Sequence, residues 1–273
     1  MKLRFQNPSE LISFINCDDA IFHFTKKATA IEHILYNIEL KLSDFKKSND
    51  PQEYSYRMTC AVGWGWEEHK TKVTEATWLI EKIVKSSGFL SFCQNKFRNE
   101  ELEENGCLKS RMWSQYGDDQ SGICLVFSKR KLIKSLERQT AGDFTIYHEN
   151  VIYSDPQKDP IDDDLYVDGS ELAEKEPEEI AKRYISEAYK EIFFHKQPDY
   201  GDENEFRIVL LPKLEKPAHG IFVDISSCLN AIILGDKFPN VYLPTIKELS
   251  KNLNFACRKL HWEDFEYYLR ECK

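Results

Sequence analysis

None of the eight cysteines (Cys17, Cys60, Cys93, Cys107, Cys124, Cys228, Cys257, Cys272) pairs with another at CxxC spacing, which removes zinc knuckles and thioredoxin-type motifs. There is no Walker A loop, GxGxxG fingerprint, HExxH or GxSxG sequence, so those P-loop, Rossmann, zinc-protease and hydrolase patterns drop out. No apolar run approaches membrane-spanning length, and the polar Gln6-Asn7-Pro8-Ser9 following Met1 to Phe5 does not fit a signal peptide. Basic charge is also short. Lys plus Arg total 37 against 46 Asp plus Glu, a formal charge of −9, which argues against strong non-specific nucleic-acid binding. The expectation is a soluble, reduced, cytoplasmic protein with no membrane partner and no metal site.

What is present is an ordinary globular composition, 41% hydrophobic and 13% aromatic over 273 residues. A chain this long can bury roughly three quarters of its extended surface. Acidic charge is concentrated between Asp162 and Glu179, where nine carboxylates face one Lys175. With Pro156, Pro160 and Pro177 nearby and few large apolar residues, about 155–179 reads as a mobile acidic excursion from a single domain spanning 1–273.

Periodicity supplies the elements. Helical spacing predicts helices over Ser9 to Ile15, from Thr29 to Ile38, Lys70 to Lys85 ended by Gly88, Ser110 to Tyr116, Pro177 to His195, and a closing one over Pro244 to Leu253. Short apolar runs predict strands at Ala20 to Thr25, Phe89 to Cys93, Gly122 to Phe127, Thr145 to Tyr153, Glu205 to Leu211, Ile221 to Ile225 and Ala231 to Leu234. Strands and helices do not alternate regularly, so the expected class is α+β, a mixed or antiparallel split sheet with flanking helices. Trp64 and Trp66 lie in a glycine-punctuated loop and suit core packing or a cleft wall.

Three strands carry polar groups among apolar ones. Alternation sends His23 and Thr25 to one face of the first, where they either meet a ligand or form a satisfied strand end. Ser91 shares a face with Phe89 and Cys93, and its hydroxyl needs a partner, which a backbone carbonyl could supply. Glu203, Glu205 and Arg207 fall together on the third. Two carboxylates at that spacing repel unless a cation lies between them, and Arg207 compensates only in part; a solvated edge strand is the alternative.

Phe22 to Thr25, Asn49 to Glu53, Ser91 to Cys93, Met112 to Tyr116 and Glu203 to Arg207 together resemble a family of uncharacterised bacterial proteins. That family carries aromatic-His-aromatic-Thr, Asn-Asp-Pro-x-Glu, Ser-Phe-Ser, Met-Trp-Ser-x-Tyr and Glu-x-Glu-x-Arg segments. More distantly, the His, Ser and Glu strands in that order resemble the ADP-ribosyltransferase superfamily. The resemblance implies an ADP-ribosyltransferase-like fold that uses NAD as substrate, with an unknown protein or nucleic-acid acceptor, in a toxin-like or phage-defence effector. It makes Glu205, Glu203 and His23 the catalytic set. His23, Thr25, Ser91, Trp113, Tyr116 and Arg207 would hold the NAD, with Trp113 and Tyr116 stacking on it or else packing in the core, and Lys196 and Arg207 either pairing with the pyrophosphate or equally neutralising nearby carboxylates. Cys93 stands where the family pattern has a second serine, which removes a strong hydrogen-bond donor. A non-catalytic nucleotide-binding module, or an interaction module that docks a basic partner on the acidic segment, is the competing expectation.

Overall fold

The computed structural model describes residues 8–48, 50, 69–140, 142–154, 169–213 and 217–272. Trp64, Trp66, Asn49, Pro51 and Glu53 lie outside them, as does 155–168 of the acidic stretch.

The main sheet has eight strands: β1 (Ala20–Thr25), β2 (Gly88–Gln94), β3 (Ile123–Ser128), β4 (Phe144–Asn150), β5 (Glu205–Pro212), β6 (Leu229–Leu234), β7 (Ala256–Glu263) and β8 (Glu266–Glu271). Their spatial order is β8-β7-β6-β3-β1-β2-β5-β4. All neighbours are antiparallel except β6 and β7, so the architecture is α+β with a large mixed sheet and flanking helices.

One face of the sheet carries a single apolar layer that includes Ile21, Leu90, Phe92, Leu125, Phe127, Ile208 and Leu210. The other face carries two separate clusters. Val209, Leu211 and Phe89 pack beneath the helices Lys70–Ser86 and Pro177–Phe193. Phe22, Phe24, Cys124 and Val126 pack beneath the helices Pro8–Ile15 and Ser110–Gln115. Both long helices follow from their stripes: Ala76, Ile80 and Val84 on one, Ile180, Tyr184, Ile185, Ala188 and Ile192 on the other, are the buried positions at helical steps.

Between the two clusters the sheet opens. β1 pairs with β3 over all six residues, from Ala20 opposite Ser128 to Thr25 opposite Ile123. It pairs with β2 at only two positions, Ile21 with Gln94 and Phe22 with Cys93. β2 continues against β5 in unbroken register from Cys93 opposite Glu205 to Gly88 opposite Leu210.

Several expectations are corrected. The acidic stretch, expected as an excursion without regular structure, is helical at Gly169–Glu174, while the helix from Pro177 stands as its spacing predicts. Glu171 in the former is paired with Lys175 and Arg183, which offsets its share of the charge. The helix Lys70–Ser86 closes on Ser87, and Gly88 starts β2 instead. A Cβ at Gly88 would sit 2.8 Å from the backbone of Ala218 and His219, so that strand end needs glycine. The chain does not close on the helix Leu243–Leu253, because the β7–β8 hairpin follows, and a disulfide joining Cys257 to Cys272 across it departs from the reduced cysteines expected. The helix Lys129–Gln139, capped by the Ser128 hydroxyl, had no counterpart in the sequence reading.

Candidate functional site

A cleft of about 180 Å³ opens where β1 and β2 part. Phe22, His23 and Phe24 of β1 line one side, Phe89, Ser91, Phe92 and Cys93 of β2 the other, and Glu203, Glu205, Lys196 and Tyr116 the floor. Thus residues of the three segments, far apart in sequence, line one opening, with His23 coming from the Ile21 face of the sheet, against Phe92, and Ser91 and Glu205 from the Phe22 face.

Glu205 and Arg207 share a face of β5 because they are two residues apart, and Ser91 lies directly opposite Arg207 in register. Glu205 is 3% exposed and Arg207 1%. β5 lies inside the sheet between β2 and β4, so the solvated edge strand is excluded. The Ser91 hydroxyl donates to Glu205 Oε1, the partner that residue required. Arg207 Nε donates to the same oxygen at 2.7 Å and Nη2 to Oε2 at 3.2 Å. Lys196 Nζ lies 2.8 Å from Oε2. A carboxylate offers about four lone-pair sites, and these four donors fill them. Burial works to raise the Glu205 pKa, yet the charges and hydrogen bonds of Arg207 and Lys196 outweigh it and hold the carboxyl at about 2.

The cation missing between the two acids is Lys196, whose Nζ is also 2.7 Å from Glu203 Oε2. Lys196 is set by a short parallel pairing of Ile152–Tyr153 with His195–Lys196. The Tyr153 hydroxyl accepts from the Glu205 backbone N–H at 2.9 Å, and Asp50 Oδ2 accepts from the Gln197 N–H. Asp50 is buried here and holds the segment after Lys196. No local pattern announces these three supports; they are assembled by strand pairing.

Glu203 arrives by a different route from the one alternation suggested. It ends the 3₁₀ turn Pro198–Glu203, and Asn204 then takes a left-handed backbone with φ 44° before β5 begins. Asn204 tolerates this conformation, and its Nδ2 donates to the carbonyls of Gln94 and Asn95. Glu203 is thereby turned into the floor at 3% exposure, where it accepts from the Tyr116 hydroxyl at 2.6 Å as well as from Lys196.

His23 bridges the opening. Its Nδ1 is 3.1 Å from the Ser91 carbonyl, where pairing with β1 has stopped. A carbonyl only accepts, so Nδ1 carries the proton and Nε2 is the acceptor of the neutral ring. Burial lowers the imidazole pKa, against a smaller opposing effect of the Ser91 bond, and so favours that neutral form. Cys93 also lines the cleft, but burial pushes its thiol up to about 12 and it points a weak donor at the Gly106 carbonyl.

Residues 112–208 match the family model described as a protein of unknown function (DUF2971). The match takes in Tyr116, Lys196, Glu203, Glu205 and Arg207, while His23 and Ser91 lie before it. No curated protein and no solved structure matches the chain.

Three of the expected ligand contacts are not at the cleft. Trp113 is fully buried, edge-on to Phe24 at 5.0 Å, with its indole N–H given to the Cys107 carbonyl at 2.7 Å. It is a core residue. Arg207 lies behind Glu205, donates to the Phe193 carbonyl and sits over the rings of Phe45 and Phe89 at 5.7 and 5.1 Å, so it positions the acid and cannot reach a pyrophosphate. Thr25, where β1 is fully paired with β3, is buried beyond the opening. Lys196 faces the cleft but is committed to two carboxylates.

Proposed function

We propose that this cleft binds the nicotinamide end of NAD and cleaves its glycosidic bond, as an ADP-ribosyltransferase or NAD glycohydrolase. The observation that carries the reading is the convergence of His23, Ser91, Glu203 and Glu205, from separate strands and a turn, on one opening in the sheet. This is the arrangement that a distant resemblance to ADP-ribosyltransferases requires, with an effector of toxin or phage-defence type as its setting.

Breaking the bond between ribose C1′ and the nicotinamide nitrogen leaves the electron pair on nicotinamide and an oxocarbenium-like sugar. Glu205 is anionic throughout the neutral range and so opposes that positive charge. Its lone pairs are already taken, so a ribose hydroxyl gains access only by displacing the Ser91 hydroxyl or Lys196, and Lys196 has Glu203 to retain it. Nε2 of His23 accepts from a second ribose hydroxyl. Glu203 takes the proton of the attacking water or acceptor group, whose oxygen or nitrogen then bonds to C1′. Tyr116 sets the orientation of Glu203.

The full occupation of Glu205 favours a second reading, a nucleotide-binding module without turnover. Incubation with NAD labelled on the adenylate and nicotinamide moieties, with a cell lysate as acceptor source, separates the two. Nicotinamide release or label transfer that disappears in Glu203→Gln and Glu205→Gln supports catalysis. Saturable binding with no product assigns the module, and neither binding nor product sinks both readings.

A further inference from the structure

The ion pairs at the floor balance: Glu203 and Glu205 are matched by Lys196 and Arg207. At the mouth of the same cleft, Ser43, Lys47 and Ser48 also form the lining. They belong to the stretch around the 3₁₀ turn Phe45–Lys47, which is pinned by Phe45 packing on Phe89 at 4.4 Å and by a backbone bridge from Ser43 to Phe89. Lys47 is exposed, and its ammonium meets no carboxylate among the described residues. Among the described residues Lys47 thus brings a cation without an ion-pair partner to the cleft edge, beside the hydroxyls of Ser43 and Ser48, the latter accepting from the N–H of the buried Asp50. The cleft, about 180 Å³, is smaller than the roughly 300–1,000 Å³ of sites that enclose a drug-sized ligand. Such a volume suits one ring and one sugar, with any further group emerging at the mouth.

We infer that the unit recognised here is a phosphorylated ribonucleoside, its sugar at His23 and the floor acids and its phosphoryl group held at the mouth by Lys47, Ser43 and Ser48. This rests on reading the cleft as a nucleotide site, and it adds that a mononucleotide phosphate is sufficient for recognition. A lysine ammonium suits a phosphoryl oxygen as a point charge, and a partner of opposite charge shortens and strengthens the bond.

Calorimetric titration of the full chain with nicotinamide mononucleotide and with nicotinamide riboside tests it, since the two differ only by the phosphoryl group. The expected result is mononucleotide binding about ten- to hundredfold tighter than riboside, the range of one to two charge-assisted hydrogen bonds. That preference should fall as salt rises, vanish in Lys47→Ala and return in Lys47→Arg. Equal affinity for the two ligands, an unchanged preference in Lys47→Ala, or no saturable mononucleotide binding overturns the inference. Inorganic phosphate binding as tightly as the mononucleotide would make this a free-anion site and also overturns it. Failure of NAD turnover with a Lys47-dependent preference intact removes only the catalytic reading.

Discussion

Replacing Arg207 with Met is the perturbation that asks most of the site. The guanidinium is 1% exposed and supplies two of the four donors that hold Glu205. Without it, two buried carboxylates share Lys196 alone, and the Phe193 carbonyl loses a donor. Arg207 and Lys196 together hold the Glu205 pKa low against the opposing effect of burial. Breaking one side of a buried ion pair costs about 3–5 kcal/mol. Urea unfolding at pH 7 should show Arg207→Met less stable by that amount. Glu205→Gln/Arg207→Met removes the uncompensated acid as well, leaves Glu203 with Lys196, and should recover a large part. The pH dependence has a defined sign. Glu205 has a folded pKa below its unfolded one, so its stabilisation is present above about 4.5 and lost as pH falls toward 2. The gap between wild type and Arg207→Met should therefore narrow below pH 4.5. A loss under about 1 kcal/mol, or a double variant weaker than the single one, refutes the reasoning.

Further outcomes follow from the same geometry. Asn204→Ala forces a β-carbon residue to keep φ 44° and deletes the hydrogen bonds to the Gln94 and Asn95 carbonyls; it should cost about 1–3 kcal/mol, and Asn204→Gly less, with equal costs counting against strain. Nitrogen-15 shifts of His23 should show the proton on Nδ1 and a pKa below 6.5, so the stability it contributes is lost as pH falls below that value; an Nε2–H ring or a higher pKa contradicts the assignment. Trp113→Phe leaves the Cys107 carbonyl without its donor and should cost about 1–3 kcal/mol in a urea melt. A change within about 0.5 kcal/mol, typical of a surface substitution, would show that the indole is not core.

The sequence by itself determined the elements with strong periods. The strand Ala20–Thr25 and the helices beginning at Lys70 and Pro177 stand where alternation and the 3.6-residue stripe put them. The same alternation put Glu205 and Arg207 on one face, because side-chain direction in a strand depends only on residue parity. The hairpin Ala256–Glu271 escaped it, since an edge with exposed Trp262, Phe265 and Tyr268 lacks a clean polar-apolar alternation.

Tertiary structure alone decided which polar groups meet. Lys196 reaches both acids through a parallel two-residue pairing with Ile152–Tyr153, and Glu203 enters the floor through the left-handed Asn204. Trp113 and Tyr116, three residues apart on one short stretch, divide between core and cleft according to what packs above them. A contact between positions a hundred residues apart depends on strand order and on where pairing stops, and neither leaves a period in the chain to be read.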